Sequence, residues 1–182
     1  MGKEWNNVDR HMAYELSPYD VTLVMDIDYF CMTGDLLQYM DTRYDFLIPC
    51  RVHDLTDRNT FTSRQWSMIP MVWATIFVFK KTSRVKQLFD MVKYVKNYYK
   101  YFNDLYRIKS KNFRNDYAFA IALQQLNGFI GYDVFPFALM TLPSDCEVID
   151  FVDNGLTWRC NDTVNYLRDC DVHVMNKESI SV

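Results

Sequence analysis

Tyr19-Asp-Val-Thr-Leu-Val-Met-Asp-Ile-Asp-Tyr-Phe30 decides how the rest of this chain is read. A short run of β-branched and large apolar residues, Val21 to Met25, follows Ser17-Pro18 and predicts a central strand of a covered sheet. The strand runs straight into Asp26 and Asp28. In an extended chain, residues i and i+2 point to one face, so both carboxylates meet there while Ile27 packs on the other. Two adjacent carboxylates repel unless a proton or cation sits between them. A divalent metal at the carboxyl edge of an α/β sheet would relieve that repulsion. The plainer alternative is a pair of solvated acids at a strand end.

The chain of 182 residues suits one domain, spanning 1–182, with enough length to bury a core. A hydrophobic fraction of 49% with 16% aromatics excludes a disordered chain, and five glycines and five prolines exclude a collagen-like or linker-rich one. The five cysteines contain no C-x-x-C pair, which leads us to expect reduced, structural thiols in a cytoplasmic compartment. No apolar stretch is long enough to span a bilayer and Met-Gly-Lys-Glu-Trp5 lacks a signal-peptide core, so a soluble protein without a membrane partner is expected. The net charge of −3 is unevenly spread. Lys80 to Arg114 holds eleven basic residues against Asp90 and Asp104, leaving the remainder strongly acidic. Such a block either invites a polyanion or forms a solvated helix face.

The other elements follow from periodicity. Thr33 and Asp35 mark a helix entry running through Leu36, Leu37 and Met40, and Phe46-Leu-Ile-Pro-Cys50 reads as an edge strand. Residues 53–67, with Asp54, Asp57, Asn59, Thr60 and Ser63, form a polar loop of the length that often carries function. Met71 to Phe79 reads as a buried strand. Val85, Leu88, Phe89, Val92, Val95, Tyr99, Phe102 and Tyr106 make the core stripe of a long helix starting near Thr82. A second helix begins at Asn115-Asp116 and stops at Gly128. Asn154-Gly155 predicts a hairpin turn between residues 146–152 and 156–160.

Four segments carry a family resemblance: Leu23-Val-Met-Asp-Ile-Asp-Tyr-Phe30, Trp73-Ala-Thr-Ile-Phe-Val-Phe79, Phe113-Arg-Asn-Asp-Tyr-Ala-Phe119 and His173-Val-Met-Asn-Lys177. In this order the chain resembles the metal-dependent glycosyltransferases of the GT-A fold. The likeness is to family 8 (glycogenin- and galactosyltransferase-like) enzymes and related phage-encoded sugar transferases. The resemblance implies an α/β fold, a three-layer α/β/α arrangement with a mixed central sheet and a C-terminal β-hairpin region. It also implies Mn²⁺ or Mg²⁺ held by Asp26, Asp28 and His173, bridging the diphosphate of a nucleotide-sugar donor as its charge grows. An imidazole among oxygens favours Mn²⁺. Lys177 would neutralise a phosphate, Asp116 would orient a hydroxyl or act as base, and Asn115 and Trp73 would contact sugar or acceptor.

Only 25 residues precede Asp26, where that fold carries a nucleotide-binding half. The expectation is therefore a truncated GT-A fold, its C-terminal two-thirds, completed by a second chain or working as a reduced relative. The acceptor is not written in the residues; a basic helix beside the cleft would suit nucleic acid, such as a modified base in phage DNA. An accessory subunit without activity is the alternative. Two other enzyme classes begin with a strand and D-x-D, haloacid-dehalogenase-type phosphatases and lesion-bypass polymerases. The later residues each needs, a helix lysine with a second acidic pair or a second acidic hairpin, are not found.

Overall fold

A computed structural model describes residues 8–41, 43–58 and 67–180. Its organising strand is not the one that ends at the aspartates. Ile76–Lys80 (β5) lies between Val21–Met25 (β1) and Phe46–Leu47 (β3) in an antiparallel sheet, with Leu23 and Leu47 both opposite Val78. β5 is central because every position from Ile76 to Phe79 is apolar and fully buried. The residues of β1 are half-buried, and among the described residues it pairs on one side only. An apolar run alone could not distinguish the covered strand from its neighbour.

The pleat of β5 divides the core. Phe77 and Phe79 face the helices, packing with Phe46, Phe89 and Phe119 at ring-centroid distances of 5.1 to 6.3 Å. Ile76 and Val78 face the other way, into a cluster with Tyr29, Leu36, Trp73, Phe135 and Leu139. That second face is covered by loops and a neighbouring sheet, where an α/β/α layering would place a helix. The structure is thus mixed α/β with several small sheets.

Two helices form the layer on Phe77 and Phe79. Ser83–Asn97 (α2) follows the short Ala13–Leu16 (α1) in chain order; the Thr82 hydroxyl caps it, accepting from Val85 N–H at 3.3 Å. Its buried residues are Val85, Leu88, Phe89, Val92 and Val95, the expected stripe. The helix does not continue unbroken. Tyr98 leaves the helical region at φ −116° and ψ 30°, and Tyr99–Leu105 (α3) resumes as a separate element. Asn115–Leu126 (α4) packs on α2 and is buried all round from Asn115 to Gln124. Gly128 takes φ +62° beyond its end, a conformation glycine adopts without a Cβ penalty.

A mixed sheet carries the other half of the chain, in the order Tyr29–Phe30 (β2), Val172–Val174 (β10), Leu139–Leu142 (β6), Val52–Asp54 (β4). β10 runs antiparallel to β2 and parallel to β6, and β6 runs parallel to β4. The expected helix after Thr33 is a 3₁₀ segment, Asp35–Tyr39. The long polar loop contains β4 at its start, while Asn59, Thr60 and Ser63 lie outside the described residues.

The expected hairpin is one side of a three-stranded meander, Glu147–Val152 (β7), Gly155–Cys160 (β8) and Thr163–Arg168 (β9). Its turn sits one residue earlier than Asn154-Gly155 suggested. Asp153 and Asn154 take the two positive φ values, 48° and 58°, that a type I′ turn requires. Gly155 is instead needed inside β8, where a Cβ would come within 2.7 Å of Tyr166 Cε2. No helix of the described residues is long and apolar enough to cross a membrane.

Candidate metal centre

β1 ends where its hydrogen bonds do. Asp26 N–H donates to Thr75 C=O at 2.8 Å, just before β5, and Tyr29 N–H donates to Asp26 C=O at 3.1 Å. That second bond closes a turn over Asp26-Ile-Asp-Tyr29, so the two acids are not consecutive same-face residues of a strand. Ile27 occupies the turn's corner and is 93% exposed, correcting the expectation that it packs. The carboxylates still converge, through the turn and not through the pleat.

Asp28 is held from the far end of the sequence. Its carbonyl accepts Val174 N–H at 2.8 Å, and Tyr29 stands opposite His173 in the β2–β10 pair. Ligand atoms of Asp26, Asp28 and His173 all lie within 4.8 Å of one another. His173 Nε2 is 3.6 Å from Asp28 Oδ2, and Lys177 Nζ is 2.9 Å from the same oxygen. Asp28 is 2% exposed and His173 7%. Asp28 Oδ1 and His173 Nδ1 are buried without a hydrogen-bond partner among the described residues. Buried polar atoms are nearly always satisfied, so two orphans in one cluster point to an absent partner.

The electrostatics agree with a preformed anionic site. Burial alone would raise the Asp28 carboxyl, but hydrogen bonds from His173 and Lys177 outweigh it and hold the group at about 2, against 3.8 ordinarily. Arg10, from the 3₁₀ turn Arg10–Met12, forms an ion pair with Asp26. Burial lowers the Arg10 pKa, while Asp116 and Asp28 raise it. Arg10 completes the cluster, and no signal in the sequence marks it: it lies in a weakly patterned polar segment.

Asp116, in the first turn of α4, accepts Ala74 N–H at 2.9 Å and the Arg114 guanidinium at 3.0 Å. One carboxylate oxygen thus ties α4 to the segment before β5, and the other is held by Arg114 at the start of α4 itself. Asn115 beside it is 5% exposed. Trp73 is 6% exposed, its backbone N–H donating to Pro49 C=O at 2.8 Å, and it belongs to the core cluster with Tyr29 and Phe135. A ligand could touch only its edge. The structure therefore gathers Asp26, Asp28, His173 and Lys177 directly, with Asp116 within electrostatic reach through Arg10.

A second group, Asp145, Cys146 and Cys160, also falls within 4.8 Å. It suits a metal poorly. Arg58 grips both Asp145 oxygens at 2.7 Å, and burial together with the Cys160 hydrogen bond pushes the Cys146 thiol up to about 12. Metal ligation needs thiolates.

No protein-family model, curated protein or solved structure matches this chain. The site is therefore argued from its own chemistry. Two carboxylates and an imidazole form a mixed oxygen-and-nitrogen donor set that a divalent cation can accept.

Proposed function

We propose that this chain is a metal-dependent glycosyltransferase, moving a sugar from a nucleotide-diphosphate sugar to an acceptor with Mn²⁺ or Mg²⁺ bound by Asp26, Asp28 and His173. The observation that carries the reading is the meeting of these three side chains, from a β1–β2 turn and a strand far along the sequence, with two orphaned buried atoms among them. A divalent cation there would supply charge neutralisation for a departing diphosphate. The chain's own residues do the rest. Asp28, in the turn just before β2, and His173, in β10, would fix the donor set from adjacent parts of one sheet. Lys177, 63% exposed on its side chain, can swing from Asp28 to a phosphate oxygen. Arg10 is a second cation able to follow the same charge. Asp116 fixes the Ala74 backbone and the Arg114 guanidinium and attracts Arg10 electrostatically, and on the transferase reading the acceptor hydroxyl approaches from that side.

The runner-up is an accessory subunit that keeps the transferase-like site without turnover. What favours it is that Arg10 and Lys177 already neutralise the two carboxylates, as they would in a purely structural ion cluster. The nucleic-acid acceptor gains little, because Lys86 and Lys96 of the basic block pair with Asp90 and Asp9.

The test is thermal stability with Mn²⁺ and a panel of nucleoside diphosphates. Ligand bound to the folded state alone stabilises by RT ln(1+[L]/Kd), about 3 kcal/mol at a hundredfold excess over Kd. Mn²⁺ should raise the melting temperature, a diphosphate should add to it, and Asp28→Ala should remove both effects. No response to Mn²⁺ in the intact chain would leave the accessory reading.

A further inference from the structure

Sheet edges carry unpaired N–H and C=O groups, and proteins usually blunt them with bulges, charges or a covering segment. The two edges of the β7–β8–β9 meander are treated differently. β7 is interrupted by a bulge between Val148 and Asp150 and lies against the 3₁₀ segment Lys177–Ile180. β9 is regular. Thr163-Val-Asn-Tyr-Leu-Arg168 pairs with β8 at every position without a register shift and holds neither proline nor glycine. Among the described residues no strand lies on its other side, and Val164 and Tyr166 are 56% and 59% exposed along it.

Which backbone groups line the open edge follows from the ladder. Asp169 N–H donates to Asn154 C=O at 2.9 Å, one step beyond the Gly155–Arg168 pair. Backbone groups alternate sides along an antiparallel strand. Thr163, Asn165 and Leu167 therefore direct theirs into β8, while Val164, Tyr166 and Arg168 direct theirs outwards. The Tyr166 ring is held over Gly155, so its place beside that edge is set.

We propose that β9 pairs antiparallel with β9 of a second copy of this chain, joining the two three-stranded meanders into one continuous sheet. An outward residue can hydrogen-bond only another outward residue, so the two-fold axis passes through a residue and not between two. An axis at Asn165 sets Val164 opposite Tyr166 of the second copy and Asp162 opposite its Arg168, each twice by symmetry. Asp162 and Arg168 are both exposed. An axis at Tyr166 would set Arg168 against Val164 instead, and one at Val164 would set Asp162 against Tyr166. Opposite charges and apolar pairs directly across two strands favour pairing, and like charges oppose it, which selects the Asn165 register. Arg168 Nε is 3.5 Å from Asp169, an exposed pair of little strength, and a guanidinium has further donors to give. One strand added per copy makes a small interface, so the association is weak and concentration-dependent.

The experiment is sedimentation velocity on the full chain in reducing buffer, at concentrations up to about 1 mM. The sedimentation coefficient should climb from monomer towards dimer. Arg168→Asp sets like charges across both ends of the pair and should weaken association about tenfold. Adding Asp162→Arg to that chain restores the match with unchanged composition, and affinity should return to within about threefold of the wild type. A second arm uses cross-linking. Asn165 would face itself across a non-hydrogen-bonded pair, about 4.5 Å apart at Cα, which a disulfide can span. Asn165→Cys should therefore give a covalent dimer under mild oxidation, while the wild type and Val164→Cys should not. A monomer at every concentration would overturn the proposal and leave the edge to a foreign strand. Association undiminished by Arg168→Asp, or equal cross-linking at position 164, would overturn it too, as would a charge-swapped chain with native circular dichroism that stays monomeric.

Discussion

Acid should erase the stabilising work of Asp28, and an Asp28→Asn chain should be blind to that loss. The carboxyl lies at about 2 in the folded protein against 3.8 ordinarily, so folding favours its ionised form. A depressed folded-state pKa contributes stability that is complete above the unfolded value and is lost as pH falls through the folded one. The full shift corresponds to about 2 kcal/mol. Lys177 is 63% exposed, however, so solvent screens its share and about 1–2 kcal/mol remains. Urea midpoints of both chains, followed from about pH 6 to about pH 2.5, isolate the group, because the other carboxylates titrate equally in each. The wild type should lead at neutral pH, and the gap should narrow by about two-thirds between about pH 5 and pH 2.5, closing only below the folded-state value of about 2. A gap that stays constant across that window would refute the ionised, partnered Asp28 on which the site argument rests.

Arg10→Ala should destabilise the metal-free protein by about 3 kcal/mol, since it strands Asp26 beside Asp28, and Mn²⁺ should restore part of the loss, read as a melting-temperature difference with and without the ion. Phe77→Ala should cost about 3–5 kcal/mol in chemical denaturation, because its fully buried ring meets Phe46, Phe79, Phe89 and Phe119. Cys146 and Cys160 are buried and burial holds the Cys146 thiol protonated, so oxidised glutathione at neutral pH should leave the mass of the folded chain unchanged and modify both only after unfolding in urea; rapid loss of two hydrogens from the folded chain would contradict this.

Much of this arrangement was legible where a residue's local pattern and its tertiary role coincide. The α2 stripe from Val85 to Val95 is one case, and the approach of His173 to the D-x-D acids, which rested on family likeness, is another. Legibility failed where a local pattern had two structural solutions. Asp26-Ile-Asp28 reads as strand by alternation, but the Tyr29–Asp26 hydrogen bond makes it a turn and sends Ile27 to solvent. Asn154-Gly155 satisfies turn chemistry, yet Asp153 tolerates the left-handed region and frees Gly155 to sit under Tyr166. Trp73, expected from the family likeness to contact sugar or acceptor, is 6% exposed and packs in the core beneath β5. Arg10 was illegible for a different reason: its partner Asp26 is set by how the 3₁₀ turn lies on α2, a tertiary fact with no local trace.

The joining of Asp28 to Val174 and His173 has a consequence for how the protein is made. α2, α3 and α4, β3 to β9 and most of the core are translated between the two halves of this site. The acidic turn is made well before β10, the strand that pairs with both β2 and β6. Contacts of such long sequence separation form late. The metal centre would thus be finished only after the scaffold around it, and a ribosome-bound intermediate would carry the helices without the site.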